Sequence, residues 1–588
     1  MNNKKTLASV TAENFFIFPV LPQQRQYEAL RAFFIEHSTA TEIAGRFGYT
    51  VMTVYSLVRD FKENLNSGNP EKLFFAAAGR GRPARLGVSE CDGQIIELRK
   101  QYLSVSDIKI RLDAADVRVS ESYIWKVVSR AGFGRLPRRM ARRESDLERR
   151  QVLAAPVSAL REEGRDEFST SMGGIILFAL LIVKYEINDA IAVAKYPGTK
   201  SLPSLNSVLA FVALKLAGFK RYSHDDQWCM DTGLGLFAGL NVLPKTSWFS
   251  SYSFRVTRDM NMNFLKAMNK IWGNAGLADG PQCLDFTAIP CWGDGSHLEN
   301  NWSGKRRKAL KSVQAALAHS PDTGIICYGD ATIRHEDESD VVLEFLDFRR
   351  KAGGPDPQYL VFDSKFTTYG NLSKLNREGI QFLTIRRRGK NIVAEIEALP
   401  ATEWKTMRVE CASGKNRTLR VHDTKTLLKG YVGEIRQIAI TGHGKIKPAL
   451  LITNDFATTA EKLIRTYMRR WQVEKGISEQ IYFFHLNRVS SSIVIKVDFD
   501  LTMSILAHNL YRLLARELTG YENCEAETLF NKFVDNMATI RYGNDEVEVV
   551  LKKKRELPLL LELGKSFAKE EIPWLDKRKI TFSGAAIT

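Results

Sequence analysis

The stretch TTAEKLIRTYMRRWQVEKGISEQ, residues 458–480, decides how this chain folds. It reads as one long helix that follows the apolar run KPALLITND (447–455). Thr458 is the expected N-cap and Glu461 stands three residues later, the spacing of a capping box. Tyr467, Arg470 and Glu474 fall at i, i+3 and i+7. At about 100° per residue they share a stripe roughly 60° wide. Ile477 and Ile481 extend that stripe, and Ile464, Met468 and Trp471 lie beside it. Glu474 has two readings. It is one half of an exposed Arg470–Glu474 pair, a contribution of about 0.2–0.5 kcal/mol, or it is the last ligand of a metal-binding set. A surface pair has no need of Trp471 and Ile477 as neighbours, which favours the second reading.

Working outward, the pattern from about residue 276 is strand alternating with helix. PQCLDFTAI, GIICYGDATI, QYLVFDSKFTTYG and GIQFLTIRRR are strand candidates, and NLSKLNREGI reads as a helix between two of them. This predicts a mixed α/β sheet. Asp285 and Asp363 each close an apolar run. An acid at the end of a core strand sits on the sheet rim, where ligands gather in α/β folds. Two such acids with a third from a helix suit a hard, oxygen-seeking cation. Paired ions of that kind activate the attacking oxygen and stabilise the leaving oxygen of an in-line phosphoryl displacement. Acids at strand ends also serve as caps, and spacing alone does not separate the two uses. Residues 388–446 lose the helical rhythm, and NIVAEIEAL, KTMRVEC, RTLRVHD and YVGEIRQIAI are expected strands of an inserted β region.

LDFTAIPCWGD, YLVFDSKFTTYGNLSKLNREGIQFLTIRRR and LLITNDFATTAEKLIRTYMRRWQVE together resemble the three catalytic blocks of insertion-sequence DDE transposases, of the family-four type with its Tyr-x-x-Arg-x-x-x-Glu pattern (the YREK subgroup). The resemblance covers about residues 276–515 and is most specific in the third block. It implies an RNase H-like core, Mg²⁺ or Mn²⁺ as cofactor, and Asp285, Asp363 and Glu474 as the catalytic, metal-binding triad. It implies that Tyr467 and Arg470 hold phosphates of the terminal nucleotides, Arg470 by bidentate contact. Trp404 would stack on a displaced base, or else belong to the core of the insertion. The basic runs around Lys305, Arg306 and Arg307 and around Arg386 and Arg387 would follow the DNA backbone, or else form a solvated basic face. The pattern departs at Ile481, where the family carries a lysine.

The bulk numbers agree. The chain has 588 residues and a formal charge of +17, with a pI of about 9.4, which calls for a polyanionic partner, nucleic acid before an anionic membrane. The most apolar segment, MGGIILFALLIV (172–183), is too short for the roughly 20 residues of a membrane span, so a buried helix is expected and no membrane partner. The cysteines form no CxxC pair and the histidines complete no zinc spacing, so a cytoplasmic location with reduced cysteines is expected, nucleoid-associated if the chain is bacterial. No apolar signal region follows the N-terminal lysines.

ATEIAGRFGYTVMTVYSLVRDF (40–61) has the rhythm of a helix-turn-helix, with Thr50 able to cap the second helix. SVSDIKIRLDAADVRVSESYIWKVVSRAGF (104–133) repeats it, with Ser106 and Ser120 as expected caps. Between them, GRGRPARL (79–86) sets Arg80 and Arg82 among glycines, fit for a minor groove or simply a flexible basic linker. The expected organisation is multidomain α+β. A helix-turn-helix module spans 1–78, and a basic linker with a second module spans 79–150. A helical domain at 151–275 shows no polar constellation. The catalytic core covers 276–387 and 447–490, is interrupted by the β-rich insertion at 388–446, and is followed by a helical C-terminal region at 491–588.

The function expected is a DNA transposase that cleaves phosphodiesters at its element's ends and transfers strands into target DNA, self-associating on DNA as a dimer or higher assembly. One rival is an RNase H-like structure-specific nuclease, which would cut without joining. The other is a former transposase retained as a DNA-binding regulator, which would have no reason to keep all three acids.

Overall fold

The computed structural model describes residues 22–66, 90–134, 136 and 153–584, apart from 102, 163, 165, 223, 225–227, 292–297, 304–307, 411–415, 445–446 and 489–492. The side chains of residues 22, 23, 64, 90, 303 and 471–474 are likewise outside the description. The chain divides into two units, residues 1–90 and 91–588.

Among its described residues the first unit holds α1 (Pro22–Phe34), α2 (Ala40–Phe47) and α3 (Val51–Asn66). Thr39 caps α2 in a capping box with Glu42, and Gly48 ends it at φ +70°. A Cβ at Gly48 would meet nothing within 4 Å, so glycine is there for its left-handed backbone alone. Thr50 accepts from the Thr53 N–H at 3.2 Å and starts α3 as expected. Ala29, Ala32, Ile43, Ala44, Phe47 and Val54 form the small core.

The second unit begins with another trihelical module, α4 (Glu90–Lys100), α5 (Val105–Ala114) and α6 (Glu121–Arg130). Its α5 cap is Ser104, in a capping box with Asp107, and not Ser106: the Asp107 carboxylate accepts the Ser104 N–H and so draws the start two residues earlier. Ser120 caps α6 as expected. The segment 151–275 contributes β1 (Glu167–Thr170), α7 (Leu177–Lys184), α8 (Ile187–Ala194), α9 (Ser204–Leu216) and α10 (Arg258–Asn274). The apolar run at 172–183 is buried from Gly173 through Ile182 of α7, and among the described residues no helix is long and apolar enough to cross a membrane.

The main sheet comprises β2 (Gln282–Pro290), β3 (Glu299–Ser303), β4 (Lys308–His319), β5 (Ile326–Ile333), β6 (Leu360–Phe362), β7 (Phe382–Ile385), β8 (Lys405–Glu410), β9 (Asn416–Leu427), β10 (Glu434–Thr441) and β11 (Ala449–Thr453). Helices α11 (Val341–Lys351), α12 (Tyr369–Arg377) and α13 (Lys390–Glu397) lie between its strands in sequence. Its order is β3-β4-β2-β6-β7-β11-β10-β9-β8, with β5 also on β4. Strands β2, β6 and β7 run parallel, and the other pairings are antiparallel. Residues 388–446 therefore do not stand apart: β8, β9 and β10 prolong the main sheet beyond β11. NIVAEIEAL is helix α13 and not a strand. Ile392, Val393, Ile396 and Leu399 recur at helical spacing, and Val393 and Ile396 are the buried pair.

Beyond β11 come α14 (Ala460–Arg469) and α15 (Trp471–Tyr482), which meet at Arg470, so the long helix expected at 458–480 is two. The N-cap is Thr459, not Thr458. The Asp455 carboxylate takes the N–H groups of Ala457 and Thr458 at 2.8 and 2.9 Å, which holds Thr458 in the turn. Glu461 pairs with Arg465 instead of closing a box.

The central helix α16 (Val494–Glu517) is buried along almost its whole length. After it the expectation of an all-helical C-terminus fails. β12 (Ala538–Tyr542), β13 (Glu546–Leu551), β14 (Glu571–Ile572) and β15 (Arg578–Gly584), with α17 (Leu557–Ser566) before β14, build a second sheet in the order β1-β12-β13-β15-β14. Ile540 and Tyr542, then Val547, Val549 and Leu551, alternate with polar residues and bury one face.

The segment 151–275 also carries the polar constellation that its sequence did not suggest. Arg258 of α10 holds both oxygens of the buried Asp330 on β5, one at 2.7 Å, and lies 3.5 Å from Asp498 of α16. Asn261 donates to Asp498 at 2.8 Å. One guanidinium thus bridges two buried carboxyl groups, with Asp330 held below the usual carboxylate range and Asp498 raised by burial, and ties α10, β5 and α16 together.

Candidate active site

The site forms where the parallel pair β2–β6 ends. Cys283 pairs with Val361 and Leu284 with Phe362, so the next residues, Asp285 within β2 and Asp363 just past the end of β6, stand level across strands spaced about 4.8 Å apart. Alternation puts both aspartates on the face of Cys283 and Val361. That face packs against Leu463 and Ile464 of α14, with Tyr467 and Met468 at its margin. On the opposite face Phe286 and Phe366, from the residues that follow each aspartate, stack with centroids 3.7 Å apart and planes 4° from parallel. Aromatic stacking there clamps the turn after β6 to the middle of β2.

Helix α14 brings its last turn over the aspartates. The Arg470 Nη1 donates to the Asp285 Oδ2 at 2.5 Å, with only 15% and 18% of the two side chains exposed. The guanidinium also lies 5.6 Å from the centre of the Tyr467 ring. Burial pushes the Tyr467 phenol up to about 12, Arg470 opposes that shift, and Asp363 and Asp285 add to it. The phenol is therefore a protonated donor throughout the neutral range. Asp285 Oδ1 accepts the Phe286 N–H at 2.9 Å, and the Ser364 hydroxyl donates to Asp363 Oδ1 at 3.0 Å. One turn beyond Arg470, Glu474 lies in α15, and its side chain is outside the described residues. Helix α15 packs on β2. Gly476 presents its Cα side to His319, which an added Cβ would meet at 3.7 Å, and Ile477 touches both main cores.

The other expected contacts are unequal. Arg387 donates to the Ser364 carbonyl at 3.2 Å, beside Asp363. Arg386 spends its guanidinium on Gln437 of β10. Trp404 is half-buried against Ile396, Ala439 and Leu450, with Arg420 5.3 Å from its ring centre. Lys305, Arg306, Arg307, Arg80 and Arg82 lie outside the described residues. Lys475 is exposed and Ile481 half-buried. Sequence reasoning passed over the exposed Lys365, in the 3₁₀ turn Ser364–Phe366 after Asp363; a basic residue two after a strand-end acid was the available signal.

Among the described residues no three His, Cys, Asp or Glu side chains gather as a metal cluster. The two level aspartates still fit a hard divalent cation by donor chemistry. They offer only oxygen, and in this structure the positive charge beside them is the Arg470 guanidinium.

A protein-family model described as "Transposase DDE domain" matches residues 279–510. The match begins just before β2, ends within α16 and takes in every site residue from Asp285 to Glu474, and it supports a DDE transposase. A search of curated proteins finds no significant match.

Proposed function

We propose that this chain is a DNA transposase of the family-four, YREK type. The observation that carries the proposal is the level placement of Asp285 and Asp363 where the β2–β6 pairing ends, Asp285 within β2 and Asp363 just past β6, with Tyr467 and Arg470 brought over them by α14. The strand order β5-β4-β2-β6-β7, antiparallel through β2 and parallel beyond it, supports an RNase H-like core. Asp285, Asp363 and Glu474 would hold Mg²⁺ or Mn²⁺, which when bound supplies activation of the attacking oxygen and stabilisation of the leaving oxygen.

The chain's own residues orient the phosphate. Tyr467 donates its phenolic proton to a non-bridging oxygen. Arg470, planar and permanently charged, suits bidentate contact with the phosphate of a terminal nucleotide. Water attacks phosphorus, the bond to the 3′ oxygen breaks, and the strand leaves with a free 3′-hydroxyl. That hydroxyl then attacks a target phosphodiester and displaces its 3′ oxygen. The α1–α3 and α4–α6 modules would bind the element's ends as helix-turn-helix readers, α3 with its exposed Met52 and Tyr55 and α6 with its exposed Trp125. Self-association on DNA would bring two ends together.

The test compares end binding, cleavage and strand transfer in Asp285→Asn, Asp363→Asn and Glu474→Gln. Each variant should keep end binding and lose cleavage. Wild-type cleavage in any of them removes that residue from the triad, and cleavage by the unaltered chain without joining of pre-cleaved ends makes it a nuclease.

A further inference from the structure

The helical layer of the second unit contains a recess that the catalytic reading does not use. It is an open space of about 530 Å³ between the end of α9, the segment 219–222, the turn 485–488 that follows α15, and the first turns of α16. Lys215, Lys220, Arg221, His485, Arg488 and Lys496 line it, and Asp500 is the one carboxylate among its described lining residues.

That carboxylate is already engaged. Lys215, itself only 7% exposed, donates to Asp500 Oδ2 at 2.8 Å and to the Phe484 carbonyl at 3.1 Å. The Tyr222 hydroxyl donates to the other oxygen at 3.0 Å. The floor of the recess is thus a closed, neutral pair. His485 adds no charge, because burial, then Lys215, hold its imidazole down to about 4, and it donates to the Gly218 carbonyl at 3.1 Å. Lys220 and Arg488 also act on that ring, which places them around the same space. His485 has φ +54°, a left-handed backbone that a non-glycine residue keeps only where its surroundings hold it.

Among the described residues no other carboxylate lines the recess to meet the remaining positive charge. Lys220, Arg221 and Arg488 are exposed at the rim and form no ion pair with a described residue. Lys496 is half-buried. It donates to the Ser250 carbonyl at 2.8 Å and stands 3.6 Å from the Phe254 ring centre, and burial pushes its ammonium down to about 8. A cation held in that way has more to gain from an anion than a solvated one.

The recess also lies on a path. Helix α15 runs from Arg470 to Tyr482, about 18 Å at 1.5 Å per residue, and leads directly to His485 and Arg488. On the other side the Val494 N–H donates to the Ala131 carbonyl at 2.9 Å and Phe254 faces Phe133 at 6.2 Å, so the recess adjoins the foot of the α4–α6 module. We propose that it binds a backbone phosphate of duplex DNA, about five base pairs from the bond held at Asp285 and Asp363 at 3.4 Å per base pair. Lys220, Arg221 and Arg488 contact the phosphate from the rim and Lys496 from within. The choice of DNA rests on the function proposed above. A small free phosphate shares the chemistry, and the experiment separates the two.

Binding of the full chain to a duplex oligonucleotide is measured without divalent metal, between about 50 and 200 mM salt. Lys220→Ser, Arg221→Ser, Arg488→Ser and their combination are compared with wild type. The slope of log affinity against log salt should fall by about 0.9 for each phosphate interaction removed. These side chains are exposed, so the unfolding temperature should not move, and Lys496→Gln gives an independent, internal variant with the same expected direction. An unchanged slope in the combined variant overturns the proposal. An unchanged slope, together with loss of a thermal shift produced by inorganic phosphate, assigns the recess to a small anion and also overturns it. Slope loss in a chain that cleaves no DNA upholds the recess and defeats the catalytic reading instead.

Discussion

Arg470 joins two tasks in one side chain. It is the positive neighbour of Asp285 now and a phosphate ligand in the proposed complex. Its planar fork serves both, and lysine would not replace it. Arg470→Ala should lower single-turnover cleavage by roughly 10²–10³-fold, the usual loss when one charged donor to a transition state is removed. Arg470→Lys should recover only part of that loss. Near-wild-type cleavage in the alanine variant would show that the guanidinium is only a structural counter-ion. Tyr467 and Arg470 were legible in the sequence because helical periodicity places i and i+3 together. Their partner Asp285 was expected to end a strand, but β2 runs on to Pro290, and the bond between Arg470 and Asp285 was not legible either. The residues are 185 positions apart, and no local pattern reports such a distance.

At the scale of elements, the candidate site rests on the middle of β2 and the end of β6 held level. Their parallel register does part of this, and the stacked Phe286 and Phe366 do the rest. Phe366 is fully buried. Phe366→Ala should destabilise the second unit by about 3–5 kcal/mol, read from denaturant unfolding, and should lower cleavage at temperatures where the unit remains folded. Loss of stability with unaltered cleavage would mean that the aspartates keep their level without the clamp. The same scale shows why the reading of NIVAEIEAL failed. Its β-branched residues favour a strand by propensity, but their spacing buries Val393 and Ile396 on one helical face, and packing overrides propensity.

Across the whole second unit, α10, β5, α11 and α16 meet around buried charge. Glu344 of α11 is pushed up to about 7, first by burial and then by Asp330, while Arg258 opposes and Asp337 and Asp340 add to the shift. A raised carboxyl means that the folded chain holds its proton more tightly than the unfolded one. Its contribution is present below the ordinary glutamate range near 4.5 and is lost as pH rises through about 7. Glu344→Gln, which cannot ionise, should therefore raise stability above pH 7 by roughly 1–2 kcal/mol, discounted for its partial exposure. It should leave stability near pH 4 almost unchanged. Urea midpoints at both pH values measure this, and an equal change at each would show that charge is not the cause.

What the sequence by itself determined is local: a basic chain, aspartates at 285 and 363 that follow apolar runs, Tyr467, Arg470 and Glu474 at helical spacing, and the resemblance those blocks carry. Each of these is a local pattern, one residue type at one spacing. Only the tertiary structure decided that Asp285 and Asp363 stand level, that 388–446 prolongs the main sheet, and that 538–584 folds back on β1 as a second sheet. It alone brought Lys215, Arg488 and Lys496 around one recess. Strand pairing and burial join residues far apart in the chain, and the free energy that selects them comes from packing that no short window of sequence contains.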